Sequence, residues 1–304
     1  MKRSNNIFHH LINLCTYRLT RMRSNIRTER KSADLAHAPL FVTGMFRSGT
    51  TITAKILIEN GFDPGPTNHL LQGLGKRKEN NPDGFFENYL FMDLSLYIFS
   101  KSNSWGDRPP NEEMLENFHI DSIPDKDFQR FSIVDIHDDR IPNKLKMDVL
   151  RKYCPSNIHD YLAQEFHFPF VIKNPHLAVM HKLFANHFPN AKFLVVFRHP
   201  ETAIASAKKI TPHADYALYI DYYKNLLADE NPNITFFSFE NLVTQPEKSI
   251  DALIRKYDLK NDGKEKSVKL IDKKRAEGVN TEIVSSWPLD LKVMYSELLE
   301  RAIN

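Results

Sequence analysis

Four short apolar runs stand out along a largely polar chain. They cover residues 39–46 (Pro-Leu-Phe-Val-Thr-Gly-Met-Phe), 168–172, 191–197 (Ala-Lys-Phe-Leu-Val-Val-Phe) and 234–239. β-Branched and aromatic residues dominate them, and Pro, Asn, Gly or charged residues bound them. All four are strand candidates, and the 191–197 run, the strongest, is continuously apolar as a strand covered on both faces of a parallel sheet is. Between these runs the spacing turns helical. Ile52, Ala54, Ile56, Leu57 and Ile58 predict a helix that Gly61 ends. Further helices are predicted near 88–100, over Glu201–Ile210, and over Gln245–Tyr257 with Pro246 in its first turn. Strands alternating with helices predict an α/β fold: a doubly wound, mostly parallel sheet flanked by helices. The stretch at about 63–166 has little strand signal. It is expected to form a largely helical, substrate-facing insertion within a single domain over 39–304, whose tail, about 261–304, is helical.

Composition sharpens this picture. Of 304 residues, 41% are hydrophobic and 26% charged, which suits a globular chain with a real core. No run approaches the roughly 20 apolar residues needed to span a bilayer. Two cysteines, Cys15 and Cys154, are too few for a disulfide framework and read as free thiols in a reducing, cytoplasmic setting. Residues 1–31 hold eight Lys/Arg and one acid, a balance of +7, so the rest of a chain with net charge +3 carries −4. The body is therefore not basic, and charge gives no support to nucleic-acid binding. The arm, residues 1–38, is amphipathic, with Phe8, Leu11, Ile12, Leu14, Leu19 and Met22 at helical spacing. A helix packed on the body, or a loose arm, is favoured over contact with an anionic membrane through 1–31, which stays the alternative.

With only 10 glycines in the chain, the two in Gly44-Met45-Phe46-Arg47-Ser48-Gly49-Thr50-Thr51 are informative. They have the spacing of a phosphate-binding loop, after a strand and before a helix. Glycines let the backbone curl so that N–H groups converge, and the helix N-terminus adds positive potential. Thr50 stands where a triphosphatase loop carries its Lys, and the cation has moved forward to Arg47. Such a loop suits a terminal phosphate without triphosphate–magnesium geometry. About 150 residues later, Arg198-His199-Pro200 closes the 191–197 run, and Ser206 lies two turns into the next predicted helix. Arg198 and Ser206 are placed to meet a second phosphate at the carboxyl edge of the sheet, where ligands of open α/β sheets bind.

Together these segments resemble the sulfotransferases that use 3′-phosphoadenosine-5′-phosphosulfate (PAPS), over roughly residues 39–257. FVTGMFRSGTT is similar to their 5′-phosphosulfate loop and FLVVFRHPETAIAS to their 3′-phosphate segment. Arg at the loop position looks like the glycan, tyrosylprotein and bacterial branches. The resemblance implies a P-loop-like sulfotransferase fold and PAPS as co-substrate. It implies donor contacts from Arg47, Ser48, Gly49, Thr50, Thr51, Arg198 and Ser206, and adenine stacking by Phe239, which stands where the family usually has Tyr. VIKNPHL looks like the family's Lys-(Asp)-Pro-Arg segment, making Lys173 the cation on the transferring sulfuryl group; Asn174 and His176 depart from that pattern. NNPDGFFEN looks like the segment that supplies a base, here Glu87, with His176 as runner-up. The acceptor implied is a hydroxyl or amine, expected on a carbohydrate or glycoconjugate.

By analogy with phosphoryl transfer, in-line displacement needs positioning, cations on the transferring group and a base for the acceptor proton. Arg47 and Lys173 supply the cations and Glu87, following Phe85 and Phe86, the base. An ATP-dependent P-loop kinase and a non-catalytic nucleotide-binding protein of the same fold are the competing readings. No metal is expected. His9 and His10 are adjacent, His176, His181 and His187 do not share a helical face, and Asp135–Asp139 reads as a solvated turn. Tyr216, Ile220 and Tyr223 share helical spacing and read as packing.

Overall fold

The computed structural model describes residues 38–71, 86–102, 104, 108–134, 153–271 and 282–303. The basic arm, Cys15, Phe85 and the Asp135–Asp139 turn lie outside these residues.

β1 (Leu40–Thr43) passes through the loop 44–49 into α1 (Thr50–Glu59). The helix stops as expected: Gly61 takes a left-handed φ of 105°, and its N–H donates to the Ile58 carbonyl. The next stretch contributes α2 (Tyr89–Lys101), α3 (Glu112–Glu116), α4 (Asp125–Val134) and α5 (Ile158–Glu165). Then follow β2 (Val171–Lys173), α6 (His181–His187), β3 (Lys192–Phe197), α7 (Pro200–Ala207) and α8 (Tyr216–Leu227). β4 (Ile234–Ser238) runs straight into α9 (Phe239–Thr244), and α10 (Pro246–Tyr257), α11 (Lys264–Lys269) and α12 (Leu289–Arg301) complete the order.

The strands form one parallel sheet in the order β2-β1-β3-β4. Side chains alternate strictly between its faces. Phe41, Ile172, Phe193, Val195, Phe197 and Phe236 enter one core; Leu40, Val42, Val171, Leu194, Val196 and Phe237 enter the other. This double burial is why the strands read as unbroken apolar runs. Phe41 sits 5.3–5.9 Å from the rings of Phe91, Phe184, Phe188 and Phe193. Phe91 belongs to α2, so the segment expected as a cap also builds the central core.

Backbone outside the strands covers both edges of the sheet. Ala302 bridges to Phe236, whose carbonyl accepts from the Ile303 N–H at 3.0 Å. On the β2 side, Asp63 bridges to Phe170 and Glu87 to Lys173. The chain leaves β1 for β2 on one side and returns to β3 on the other. The strand order thus reverses at β1, and a crevice opens at the carboxyl ends of β1 and β3.

The loop 44–49 rests on β3 there. A Cβ on Gly44 would lie 2.0 Å from the Val196 carbonyl oxygen, and φ at Gly44 is 130°. Both sterics and dihedral exclude any other residue. Gly44→Ala is expected to destabilise the fold by about 2–4 kcal/mol, read as a lowered midpoint in thermal or denaturant unfolding.

Candidate active site

The loop is held by one buried phenol. Tyr223, on α8, donates its hydroxyl proton to the Val196 carbonyl at 3.0 Å and accepts from the Met45 N–H at 3.1 Å. The Ser48 hydroxyl lies 3.1 Å from the same oxygen, and with the phenol proton already committed, Ser48 is its donor. Burial pushes the phenol well above its ordinary range, so it stays protonated. The Ser48 N–H donates to the Met45 carbonyl at 3.1 Å. Ser48 therefore shapes the loop from behind, with both its polar groups turned to protein. Helical spacing placed Tyr223 in the core correctly but carried no signal for what its hydroxyl reaches.

Arg47 adopts φ 71°, a left-handed conformation that costs a non-glycine residue on the order of 1 kcal/mol. α1 begins at Thr50 without a side-chain cap, and its N-terminal turn faces the end of the loop. Thr50 is buried and Thr51 partly exposed in that turn.

The segment 198–206 comes to the 44–49 loop. Arg47 Nε donates to Ser206 Oγ on α7 at 3.0 Å, across 159 positions of sequence. Arg198, directly after β3, lays its guanidinium 4.8 Å above the Phe239 ring. The same ring closes on Gly49, where a Cβ would meet Phe239 at 2.3 Å. Phe239 thus lies between the loop and Arg198. The Tyr219 hydroxyl donates to the Arg198 carbonyl at 2.7 Å, and the Glu240 carboxylate accepts from the His199 N–H at 2.9 Å. Neither Tyr219 nor Glu240 received a role from the sequence.

Lys173 ends β2, one strand from the loop: it is in register with Val42, and the following Asn174 N–H donates to the Val42 carbonyl at 3.0 Å. Its ammonium forms a buried ion pair and hydrogen bond with Glu87 Oε1. Glu87 is held there by backbone as well, bridging to Lys173 and accepting from the Leu71 N–H at 2.7 Å. Phe86 before it has φ 62° and carries the Lys55 ammonium 5.5 Å from its ring centroid. Asn88 after it donates to the buried Tyr161 hydroxyl at 2.7 Å, with His69 Nδ1 at 3.1 Å from the same oxygen. His69, Asn88 and Tyr161 are bracing that the sequence did not reveal.

The departures from the family pattern have a local cause. The Asn174 amide donates to Ser95 Oγ at 2.8 Å and the Phe91 carbonyl at 3.1 Å on α2, while its oxygen accepts from the His176 N–H at 3.0 Å. The His176 ring packs edge-on to Phe99 at 5.0 Å, with Nδ1 buried and without a hydrogen-bond partner among the described residues. Burial first, then the Lys173 charge, lower its pKa to about 4. His176 is therefore neutral at pH 7 and a weak proton acceptor. Among the described residues, no group of three or more His, Cys, Asp or Glu is clustered to hold a metal ion. No helix among them is long and apolar enough to cross a membrane.

The chain belongs to the sulfotransferase family, whose model matches residues 39–262. No curated protein matches it. Among known structures, the sulfotransferase domain of the Synechococcus PCC 7002 olefin synthase is 15% identical over 91% of this chain and 100% of its own, with a TM-score of 0.49. The sulfotransferase domain from the curacin biosynthetic pathway is 14% identical over 88% and 99%, with a TM-score of 0.48. A sulfotransferase of Mycobacterium avium is 13% identical over 87% and 76%, with a TM-score of 0.44.

Two outcomes follow from this geometry. Tyr223→Phe keeps the ring but strands the Met45 N–H and the Val196 carbonyl, and is expected to lose about 1–3 kcal/mol in denaturant unfolding. Because folding lowers the pKa of His176 from 6.5 to about 4, the unfolded state binds more protons between those values, so stability falls as pH drops through that window. His176→Gln should lessen that acid loss, seen as a shallower fall of the thermal midpoint between pH 6.5 and 4 than in the wild type.

Proposed function

We propose that this sulfotransferase moves the sulfuryl group of PAPS to a hydroxyl or amine of a carbohydrate or glycoconjugate. The observation that carries this reading is the Arg47–Ser206 hydrogen bond, which brings the two anion-binding segments together at one sheet edge. A donor with phosphate at both ends needs two cradles in one crevice; a nucleotide with a single phosphate chain needs one. Gly44 and Gly49 let the loop take the curled path that suits the donor's 5′ end, since side chains there would strike the Val196 carbonyl and the Phe239 ring. The co-substrate supplies an activated sulfuryl group whose leaving group is a phosphate.

Within that reading the first-turn N–H groups of α1 and the Arg47 guanidinium hold the 5′-phosphate. Arg198 and the Ser206 hydroxyl hold the 3′-phosphate. Phe239 fixes the spacing between the two, and its face toward Arg198 is already occupied by the guanidinium. Lys173 neutralises charge on the equatorial oxygens and the departing phosphate. Glu87 accepts the acceptor's proton as attack proceeds. In this structure the two are paired, so the acceptor reaches Glu87 by displacing the ammonium toward the sulfuryl group. One movement then frees the base and aims the cation. The carbohydrate preference follows the resemblance of Arg47 and the Gly-Phe-Phe-Glu segment to the glycan, tyrosylprotein and bacterial branches.

The test is a calorimetric titration with adenosine 3′,5′-bisphosphate against ADP, then a labelled-donor screen of acceptors. Selective binding of the bisphosphate is expected, with Arg198→Ala weakening it about 10- to 100-fold. Binding of ADP alone, with magnesium-dependent hydrolysis of ATP, would refute the donor assignment. Glu87→Gln is expected to lower kcat by about 10²–10⁴ with bisphosphate affinity little changed. Full activity in both Glu87→Gln and Lys173→Ala would remove them from the chemistry.

A further inference from the structure

A carboxylate stands in the wall of the proposed donor site, where its sign is wrong for a polyanion. Glu240 opens the second position of α9, directly after Phe239, and its side chain is buried. Oε1 accepts from the His199 N–H at 2.9 Å and lies 4.0 Å from Arg198 Nε. Oε2 is buried without a hydrogen-bond partner among the described residues. Buried carboxylate oxygens are normally satisfied, so this one marks a group that is not obliged to stay charged. Two anions on one guanidinium repel each other unless one is neutralised.

We infer that Glu240 is a positioning residue for the donor's 3′-phosphate: through the His199 amide it pins the turn that aims Arg198, and it takes up a proton from solvent when a phosphate settles on that guanidinium. The inference rests on the donor reading above. Its surroundings support it. Burial raises the Glu240 carboxyl to about 7, against the pull of the His199 amide, its own amide and the Arg198 charge. The groups that interact with it are Arg198 on the turn after β3, Tyr219 and Tyr223 on α8, and Tyr295 on α12. Burial pushes all three phenols well above their ordinary range, so they are neutral. The His199 ring turns instead to Trp287 and Tyr295, at 4.9 and 5.5 Å. α10, packed on α9, buries Ser249, Ile250, Ala252 and Leu253, none of which titrates. Arg198 thus supplies the full opposite charge, and a phosphate that engages it also adds a like charge beside Glu240. Both changes favour the protonated carboxyl. The sign is fixed: donor binding takes up a proton and is tighter at lower pH.

The experiment is calorimetric titration of wild type and Glu240→Gln with adenosine 3′,5′-bisphosphate, at pH 6, 7 and 8, in buffers of different ionisation enthalpy. The ligand's own phosphate ionisation is common to both proteins and cancels in the comparison. At pH 7 the wild type is expected to take up about half a proton more than the variant. From pH 6 to 8 its affinity should fall about five- to tenfold further than the variant's. Glu240→Gln keeps an acceptor for the His199 amide and should bind as the wild type does at pH 6, whereas Glu240→Ala should bind more weakly at every pH. Equal proton uptake and parallel pH profiles in wild type and Glu240→Gln would overturn the inference while leaving the donor reading intact. Failure of the wild type to bind the bisphosphate would overturn both. A readout on the wild type alone guards against a variant that does not fold: infrared difference spectra at pH 8 should gain a protonated-carboxyl band on adding the bisphosphate, and its absence counts against the assignment.

Discussion

The seating of the 44–49 loop on the backbone of Val196 is the constraint from which the rest of the crevice follows. Gly44 permits an approach that a single methyl group would block, and the Tyr223 hydroxyl fastens both sides by bonding the Met45 amide and the Val196 carbonyl. Val196 is two residues before Arg198, so fixing the loop to this carbonyl also fixes its distance from Arg198. Arg47 can then reach Ser206, and Phe239 can fill the gap between Gly49 and the Arg198 guanidinium. A polar group buried this deeply is stabilising only if every bond is made; Tyr223 makes them all within the protein and presents its neighbours to the crevice.

A different balance governs the Glu87–Lys173 pair. Two charges removed from water lose several kcal/mol of hydration each, and their attraction offsets this only in good geometry. Replacing both by apolar side chains would be close to neutral for stability, so the pair's contribution to folding does not account for its presence. Its placement does. Backbone holds Glu87 from two sides, and the side chains of Asn88 and Tyr161 brace the segment from a third. The strained backbone agrees: Phe86, like Arg47, has a positive φ, and both directly adjoin or form the charged groups of the site. Strain of this kind persists only where surrounding structure over-determines it.

Much of this was legible in the chain. The runs at 39–46, 191–197 and 234–239 announced buried parallel strands because both faces are covered, and the observed strands Leu40–Thr43, Lys192–Phe197 and Ile234–Ser238 fall inside or within a residue of them. The 168–172 run gave a strand offset toward Lys173, because its pairing with β1 begins only at Val171. The two loop glycines were legible because each answers to a steric demand. What hid from the sequence were groups whose role lies at the tip of a side chain. Periodicity reports which face of α8 is buried, and Tyr223 is buried; it cannot report a phenol oxygen shared by three partners from two distant parts of the chain. Glu240 hid for a similar reason, since a single acid beside an aromatic has no pattern until β3 and β4 pair and bring His199 to it. The bond from the Ser48 hydroxyl to Tyr223 was not legible either, because loop membership does not fix which way a hydroxyl points.

The cover on the β2 side of the sheet has a further meaning. An open strand edge is a template on which another chain can add, and this protein closes it with the Asp63 and Glu87 bridges. The segment that screens the sheet from intermolecular pairing is therefore the one proposed to hold the base. Variation that retunes this segment for a new acceptor also alters the guard against self-association, so catalytic diversification at this position is coupled to colloidal fitness.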